Sequence, residues 1–275
     1  MRTRIAPTPS GLLHAGNAMN FLLVDELARR SGAQVLLRID DLDKPRVRKA
    51  YVEDIFRLLP LLGIAWTEGP RDEADFQAHW SQQLRLDRYH ALIGRLAAVG
   101  ATFACTCTRT SVLRCQCASL GLPMDTPGAV LRLRTADAPP VSARMLNGRE
   151  VLLDPHQLIP EPVLRQRNGS PAYQVASLSD DIDMGIDLIV RGADLLPSTA
   201  AQLHMARELG IQVFLDARFV HHPLQTDPEG RKLSKSQQGT GTMHLTPGPE
   251  ELRAWRAWAT EQADLDLRDA ALRRS

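Results

Sequence analysis

In the first hundred residues, short apolar strands alternate with stretches of helical period. Thr3–Ala6 reads as a strand and Ala15–Arg30 as a helix, with apolar positions at Ala18, Met19, Leu22, Leu23 and Leu27. Gln34–Ile39 is apolar without clean alternation, the pattern of a strand buried on both faces. Val52–Leu62 and Leu84–Ala98 have helical period, and Thr102–Ala104 is a short strand. This order predicts an α/β fold, a parallel sheet with helices on its faces. From Cys105 to about Leu158 the chain turns rich in Pro, Gly, Thr and Asp, with strand-like runs A-V-L-R-L-R and E-V-L-L-D, and reads as an insertion. The α/β character returns with A-Y-Q-V-A-S-L-S-D-D-I and D-L-I-V-R-G-A-D-L-L, a helix over Ser198–Leu209 and a strand over Val213–Val220. Pro249 followed by Glu250 and Glu251 predicts a last helix, packed back through Leu252, Trp255 and Ala259.

The length of 275 residues is enough to bury a sizeable core. Net charge is only +1, so composition gives no general case for nucleic-acid binding, which would need a local patch. No apolar run approaches membrane-spanning length and no signal sequence stands out, so a cytoplasmic protein without a membrane partner is expected. All four cysteines fall in C-T-C-T-R-T-S-V-L-R-C-Q-C, too tight a cluster for a secreted disulfide framework.

Two stretches suit phosphate chemistry. P-S-G-L-L-H-A-G-N (9–17) lies where the first strand gives way to a helix, and ligands of open α/β sheets bind at such places. Free N–H groups at the helix start can receive phosphate oxygens, Gly16 leaves room for a nucleotide, and His14 can donate to its oxygens. The plainer alternative makes His14 a cap and Gly16 a packing residue. G-R-K-L-S-K-S-Q-Q-G (230–239) places Lys232 and Lys235 in a glycine-bounded polar loop, suited to clamping a departing pyrophosphate. A solvated basic loop is the alternative there.

Together, H-A-G-N and K-L-S-K-S resemble the paired signatures of class I aminoacyl-tRNA synthetases. R-I-A-P-T-P-S-G, L-L-R-I-D-D-L-D, Q-Q-L-R-L-D-R-Y-H-A-L, A-Y-Q-V-A-S-L-S-D-D and L-I-V-R-G-A-D-L-L-P-S-T-A-A-Q-L narrow the resemblance to the catalytic core of glutamyl-tRNA synthetases, from residue 3 to about 238. The resemblance implies a Rossmann-type nucleotide-binding core in two halves, 1–104 and 161–240. An insertion at 105–160 would hold a zinc site and meet the tRNA acceptor end, and a short helical segment would follow at 241–275. It implies that Arg4, Ala6 and Thr8 line the amino-acid pocket, that Tyr173 closes it, and that Arg191 pairs with the side-chain carboxylate of glutamate. For Arg191 the alternative is a structural ion pair with Asp187 or Asp194. His14, Gly16, Asn17 and Lys235 would bind ATP, which arrives with Mg²⁺, and Lys232 and Lys235 would take the leaving pyrophosphate.

The sequence departs from the family pattern at three positions. Asp40 stands where R-I-E-D has glutamate, keeping the charge that holds the substrate ammonium but shortening its reach. Ser177 stands where a larger polar residue is frequent, and Asn17 replaces the second histidine of H-I-G-H. Cys105, Cys107, Cys115 and Cys117, as C-x-C-x7-C-x-C, offer four thiolates for a closed structural Zn²⁺ site, with reduced free thiols as the alternative. Only 39 residues follow Ser236, so a large helical anticodon-binding region is not expected. That matches the glutamyl-queuosine tRNA(Asp) synthetases, which attach glutamate to the queuosine of a tRNA, and a monomer is expected. Two other readings stay open: a related ligase with a non-tRNA acceptor, and a non-catalytic binding protein that kept the fold.

Overall fold

The computed structural model describes residues 1–108, 115–224 and 244–272. Its main sheet has the order β2 (Gln34–Leu37), β1 (Arg2–Ile5), β8 (Leu188–Gly192), β9 (Arg218–His222), β5 (Val141–Met145) and β6 (Glu150–Leu153). All neighbours run parallel except β5 and β6. A small antiparallel sheet joins β3 (Thr102–Cys105), β4 (Val130–Leu133) and β7 (Val163–Arg165). The helices are α1 (Ala15–Ser31), α2 (Lys49–Leu61), α3 (Glu73–Asp75), α4 (Leu86–Ala98), α5 (Cys117–Leu120), α6 (Pro155–Leu158), α7 (Tyr173–Asp183), α8 (Leu196–Glu208), α9 (Gln212–Leu215) and α10 (Pro249–Leu272).

Strand alternation sends successive side chains to opposite faces of the sheet. Ile5, Leu37, Ile39 and Val190 pack on one face with α1, α2 and α10. Leu36 and Ile189 pack on the other with α4, α7 and α8. The last helix does return to the body: Trp255, Ala259 and Ala263, one helical face, are buried in the core shared with α1. Among the described residues no helix is long and apolar enough to cross a membrane.

Three elements differ from the sequence expectation. The strand at Thr102–Cys105 does not extend the parallel sheet; it pairs antiparallel with β4 and belongs to the small sheet. Conversely, β5 and β6, inside the segment read as an insertion, hydrogen-bond into the main sheet through β9. Of the apolar run 213–220, the first part is the helical turn α9, and the strand starts at Arg218. Short apolar runs carry no period that separates a buried turn of helix from a strand.

From β1 the chain crosses to β2 on one side, and later to β8 on the other. The carboxyl ends of β1 and β8 therefore border a crevice where the connections diverge, the usual ligand site of an open parallel sheet. The outer edge of β2 is covered by residues 67–69, with Leu37 N donating to Glu68 O (2.9 Å) and Thr67 N to Val35 O (2.8 Å). Gly69 makes that approach possible: φ is 115°, and a Cβ there would lie 2.3 Å from Leu37 O. Gly69→Ala is expected to lower the unfolding free energy by about 3 kcal/mol in urea titrations. Gly100→Ala, at φ 75° but facing open space, should cost only about 1 kcal/mol, so the difference between the two measures the clash.

Candidate active site

Helix α1 starts at the crevice. His14 is its N-cap in extended conformation, and the Asn17 side-chain oxygen accepts the His14 backbone N–H (3.1 Å). Asn17 thus completes half of a capping box, a role that the second histidine of the family motif would not play in the same way. The first turn carries no acidic side chain, so the positive end of the helix is not neutralised from within. A cleft of about 490 Å³ opens there, walled by Arg4, Ala6, Thr8, His14, Gly16, Asn17, Tyr173 and Arg191, with Gly192 and His222 beyond. A second cleft of about 310 Å³ is walled by Thr8, Asp40, Gln82, Gln166, Tyr173 and Ala176. Thr8 and Tyr173 wall both, so the two are one site with two compartments.

Behind the clefts lies a buried ionic network. Arg4 on β1, Arg38 just past β2 and Arg191 on β8 all stand on the sheet face that α7 covers. Asp181 of α7, fully buried, accepts at Oδ1 from Arg4 Nε (2.9 Å) and Arg38 Nη1 (2.6 Å), and its Oδ2 lies 3.9 Å from Arg191 Nη2. Arg38 also grips Asp40 with two donors, Nε to Oδ1 (2.7 Å) and Nη2 to Oδ2 (3.1 Å). Three guanidinium groups thus share two carboxylates in a site closed to solvent.

The shortfall falls on Arg191. Its Nη1 donates to Gln202 (3.0 Å), but Nε and Nη2 have no hydrogen-bond partner among the described residues, although the side chain is only 3% exposed. Burial pushes this guanidinium below its ordinary pKa; Tyr173 and Asp181 oppose that, and Arg4 and Arg38 add to it. His221 adds no positive charge: burial, with Arg191 and His222 nearby, drives it down to about 3 and keeps it neutral. At Asp181 burial works to raise the carboxyl, but Arg4, Arg38 and Arg191 outweigh it and hold the group below its usual range. Burial raises Asp40, and Arg38 pulls it only partly back.

The acidic neighbours Asp41 and Asp180 face the other way. Asp180 accepts from Gln82 Nε2 (2.9 Å), from Arg85 through two nitrogens (2.8 and 2.9 Å) and from the Tyr89 hydroxyl (2.8 Å). Asp41 accepts from Ser81 Oγ (2.5 Å) and Gln82 N (2.7 Å). This explains Q-Q-L-R-L-D-R-Y: it staples α4 and the turn before it behind the second cleft.

Of the residues expected to bind substrate, Arg4, Ala6, Thr8, His14, Gly16, Asn17, Tyr173 and Arg191 meet in one cleft, and Asp40 lies in the adjoining one. Ser177 lines neither. It is fully buried, and its hydroxyl accepts from Arg38 Nη2 (3.3 Å), so it reaches the site only through Arg38. Arg191 pairs with neither Asp187 nor Asp194; Asp181 is the carboxylate within ion-pair range. Lys232 and Lys235 lie outside the described residues. Reading motifs one by one missed Arg38 and Asp181, and the signal available was the pair of adjacent acids, Asp180 and Asp181, in the helix of A-Y-Q-V-A-S-L-S-D-D.

The four cysteines converge. Cys105 and Cys115 sulfurs are 3.6 Å apart, Cys107 and Cys117 sulfurs 3.7 Å, and all four lie within 4.8 Å of one another. A tetrahedron with metal–sulfur bonds of about 2.3 Å has edges of about 3.8 Å, so the set fits one Zn²⁺ closely. Arg167 braces the loop between the first two, donating to Thr106 O (3.1 Å) and Cys107 O (2.6 Å).

The sequence and the fold match those of known proteins. The family profile described as tRNA synthetases class I (E and Q), catalytic domain, matches residues 1–119 and 125–246. A Glutamyl-Q tRNA(Asp) synthetase of Pseudomonas fluorescens is 36% identical, covering 96% of this chain and 86% of that protein. One of Nitratidesulfovibrio vulgaris is 35% identical, covering 86% and 78%. The solved glutamate-tRNA synthetase of Elizabethkingia anophelis shares the fold with a TM-score of 0.70 at 24% identity. It is aligned over 88% of this chain, which spans about half (54%) of that one.

Asp181→Asn would leave three buried arginines with one carboxylate, and is expected to cost about 3–5 kcal/mol in urea unfolding at neutral pH. The folded pKa of Asp181 is lowered, so its contribution is complete above the unfolded value of about 3.9 and is lost as pH falls through the folded one. The gap between wild type and variant should therefore narrow on acidification below about pH 4.

Proposed function

The chain belongs to the catalytic-domain family of the class I glutamyl and glutaminyl tRNA synthetases, and we propose that it activates glutamate with ATP and transfers the glutamyl group to the queuosine of tRNA(Asp). The observation that carries the choice of amino acid is Arg191, a buried cation with two unpartnered donors at the wall of the cleft. Glutamate brings one net negative charge, and its side-chain carboxylate supplies the missing acceptors. Glutamine brings no net charge and would present an amide donor to a guanidinium, leaving the buried cation poorly paired.

In the proposed reaction an oxygen of the α-carboxylate of glutamate attacks the α-phosphorus of ATP in line. The new bond joins that oxygen to phosphorus, the bond to the β-phosphate bridging oxygen breaks, and pyrophosphate leaves with its electron pair. An acceptor hydroxyl then takes the glutamyl group and AMP departs. No covalent enzyme intermediate is required, so catalysis consists of positioning and charge neutralisation. The open N-terminus of α1, with His14, Gly16 and Asn17, is the part suited to ATP. Tyr173 and Thr8, which wall both compartments, are placed to fix the amino acid relative to it, and Asp40 to receive its ammonium. Lys232 and Lys235 are assigned to the pyrophosphate from the sequence motif. Mg²⁺ carried in with ATP would neutralise its phosphates, and Zn²⁺ on the four cysteines would be structural, since four thiolates leave no open position.

The reading is tested by ATP–pyrophosphate exchange over a panel of amino acids, without tRNA, followed by labelled glutamate with queuosine-bearing tRNA. Glutamate should support exchange, and Arg191→Gln should lose on the order of a hundredfold in kcat/KM for glutamate. Exchange driven by another amino acid, and not by glutamate, sinks the pocket assignment. Metal analysis should find about one zinc per chain, with a chelator lowering the melting temperature. Protein that keeps its melting point after complete zinc removal would leave the cysteines as free thiols.

A further inference from the structure

Asp54 belongs to none of the motifs above. It sits in α2 among the buried residues Val52, Ile55, Leu58 and Leu59, and is itself only 1% exposed. A carboxylate in such a place needs strong partners, and its partners come from three separate stretches of chain. Oδ2 accepts the backbone N–H of Leu13 (2.9 Å), the residue directly before the α1 cap. Oδ1 accepts from Arg57 Nε (3.0 Å) and Nη2 (2.8 Å), and meets His244 Nδ1 at 2.8 Å. Arg57 Nη2 also donates to Leu245 O (2.7 Å).

We propose that Asp54 is the positioning residue of the ATP compartment, holding the approach to His14 and the chain that follows K-L-S-K-S on one carboxylate. The proposal rests on the reading that His14 and the start of α1 face ATP. Three contacts locate His14: Leu13 is sunk in the core, the Leu13 N–H is tied to Asp54, and the His14 N–H is tied to Asn17. Of these anchors Asp54 also takes up a distant segment by a polar contact, His244. His244 and Leu245 lie nine and ten positions after Lys235, so the carboxylate that orients the first signature also fixes the chain next to the second. The glutamate compartment hangs on a different carboxylate, Asp181. Loosening Asp54 should therefore disturb one substrate and spare the other.

The test is ATP–pyrophosphate exchange with ATP and glutamate varied in turn, in wild type, Asp54→Ala, His244→Ala and His14→Ala. Asp54→Ala should raise KM for ATP on the order of tenfold while KM for glutamate stays within about twofold. A purely structural role would instead lower the active fraction and scale kcat, with both KM values kept. His244 is half-exposed, so His244→Ala leaves the core filled and keeps the test open should Asp54→Ala fail to fold; it should raise KM for ATP severalfold. Folded Asp54→Ala with wild-type KM for ATP, or with KM for glutamate raised equally, overturns the proposal; so does an unchanged His244→Ala when Asp54→Ala does not fold. If His14→Ala raises KM for ATP and Asp54→Ala does not, the inference alone falls. If neither moves it, the ATP assignment of this cleft falls and takes the inference with it.

Discussion

The site is organised around one carboxylate that three arginines must share. Asp181 is fully buried and meets Arg4, Arg38 and Arg191, which come from the three adjacent strands or strand ends of β1, β2 and β8. Removing that many charges from water is expensive, and mutual attraction recovers the cost only when the geometry is well satisfied. Here it is satisfied for Arg4 and Arg38 and left incomplete for Arg191. The fold itself produces this pattern. The β1–β2 register aligns Arg4 with Leu36, and Arg38 follows two residues later on the same face. Helix α7, laid across that face, delivers Asp181 to both. Within this buried network three cations stand against two carboxylates.

Much of this was legible in the sequence because it is local. The strand-to-helix switch around His14, the apolar strand that begins at Gln34 and the Pro249–Glu250–Glu251 start of α10 rest on short-range physics. Arg191 was visible as a candidate cation for the same reason: its motif is contiguous. Asp181 and Asp54 were not, since each does its work through partners far away in the chain, 177 residues from Asp181 to Arg4 and 190 from Asp54 to His244. No period or spacing encodes such pairings. The strands β3 and β6 show the same limit. Each reads as a strand, but which sheet it joins is settled by tertiary pairing, and here the two join the opposite sheets from those their positions suggested.

The substitution of Asp for Glu in R-I-D-D looks different once Arg38 is placed. An aspartate at this position is short enough to be gripped by both donors of the arginine two residues before it. Its carboxylate is then oriented from behind, with Ser177 closing the other side of the same guanidinium. A small residue at 177 and a short acid at 40 are therefore complementary: each leaves the space that Arg38 occupies. The departures from the family pattern at these two positions thus meet on one guanidinium, that of Arg38.

The under-paired arginine also bears on why such a network persists. Apolar residues of similar volume would frequently be as stable or more so, so a buried cluster of alternating charge is poorly explained by stability. Under the proposed function, its use would lie in holding a cation rigidly where the substrate's charge arrives. Arg191 is held by Gln202, flanked by a neutral His221 and kept near one oxygen of Asp181 that no donor claims. The free protein thus carries the cost of an under-paired charge in advance. Under the proposed function a carboxylate of matching shape would relieve it on binding, and a ligand without that charge would gain no such relief, so the same defect would separate acidic from amide side chains.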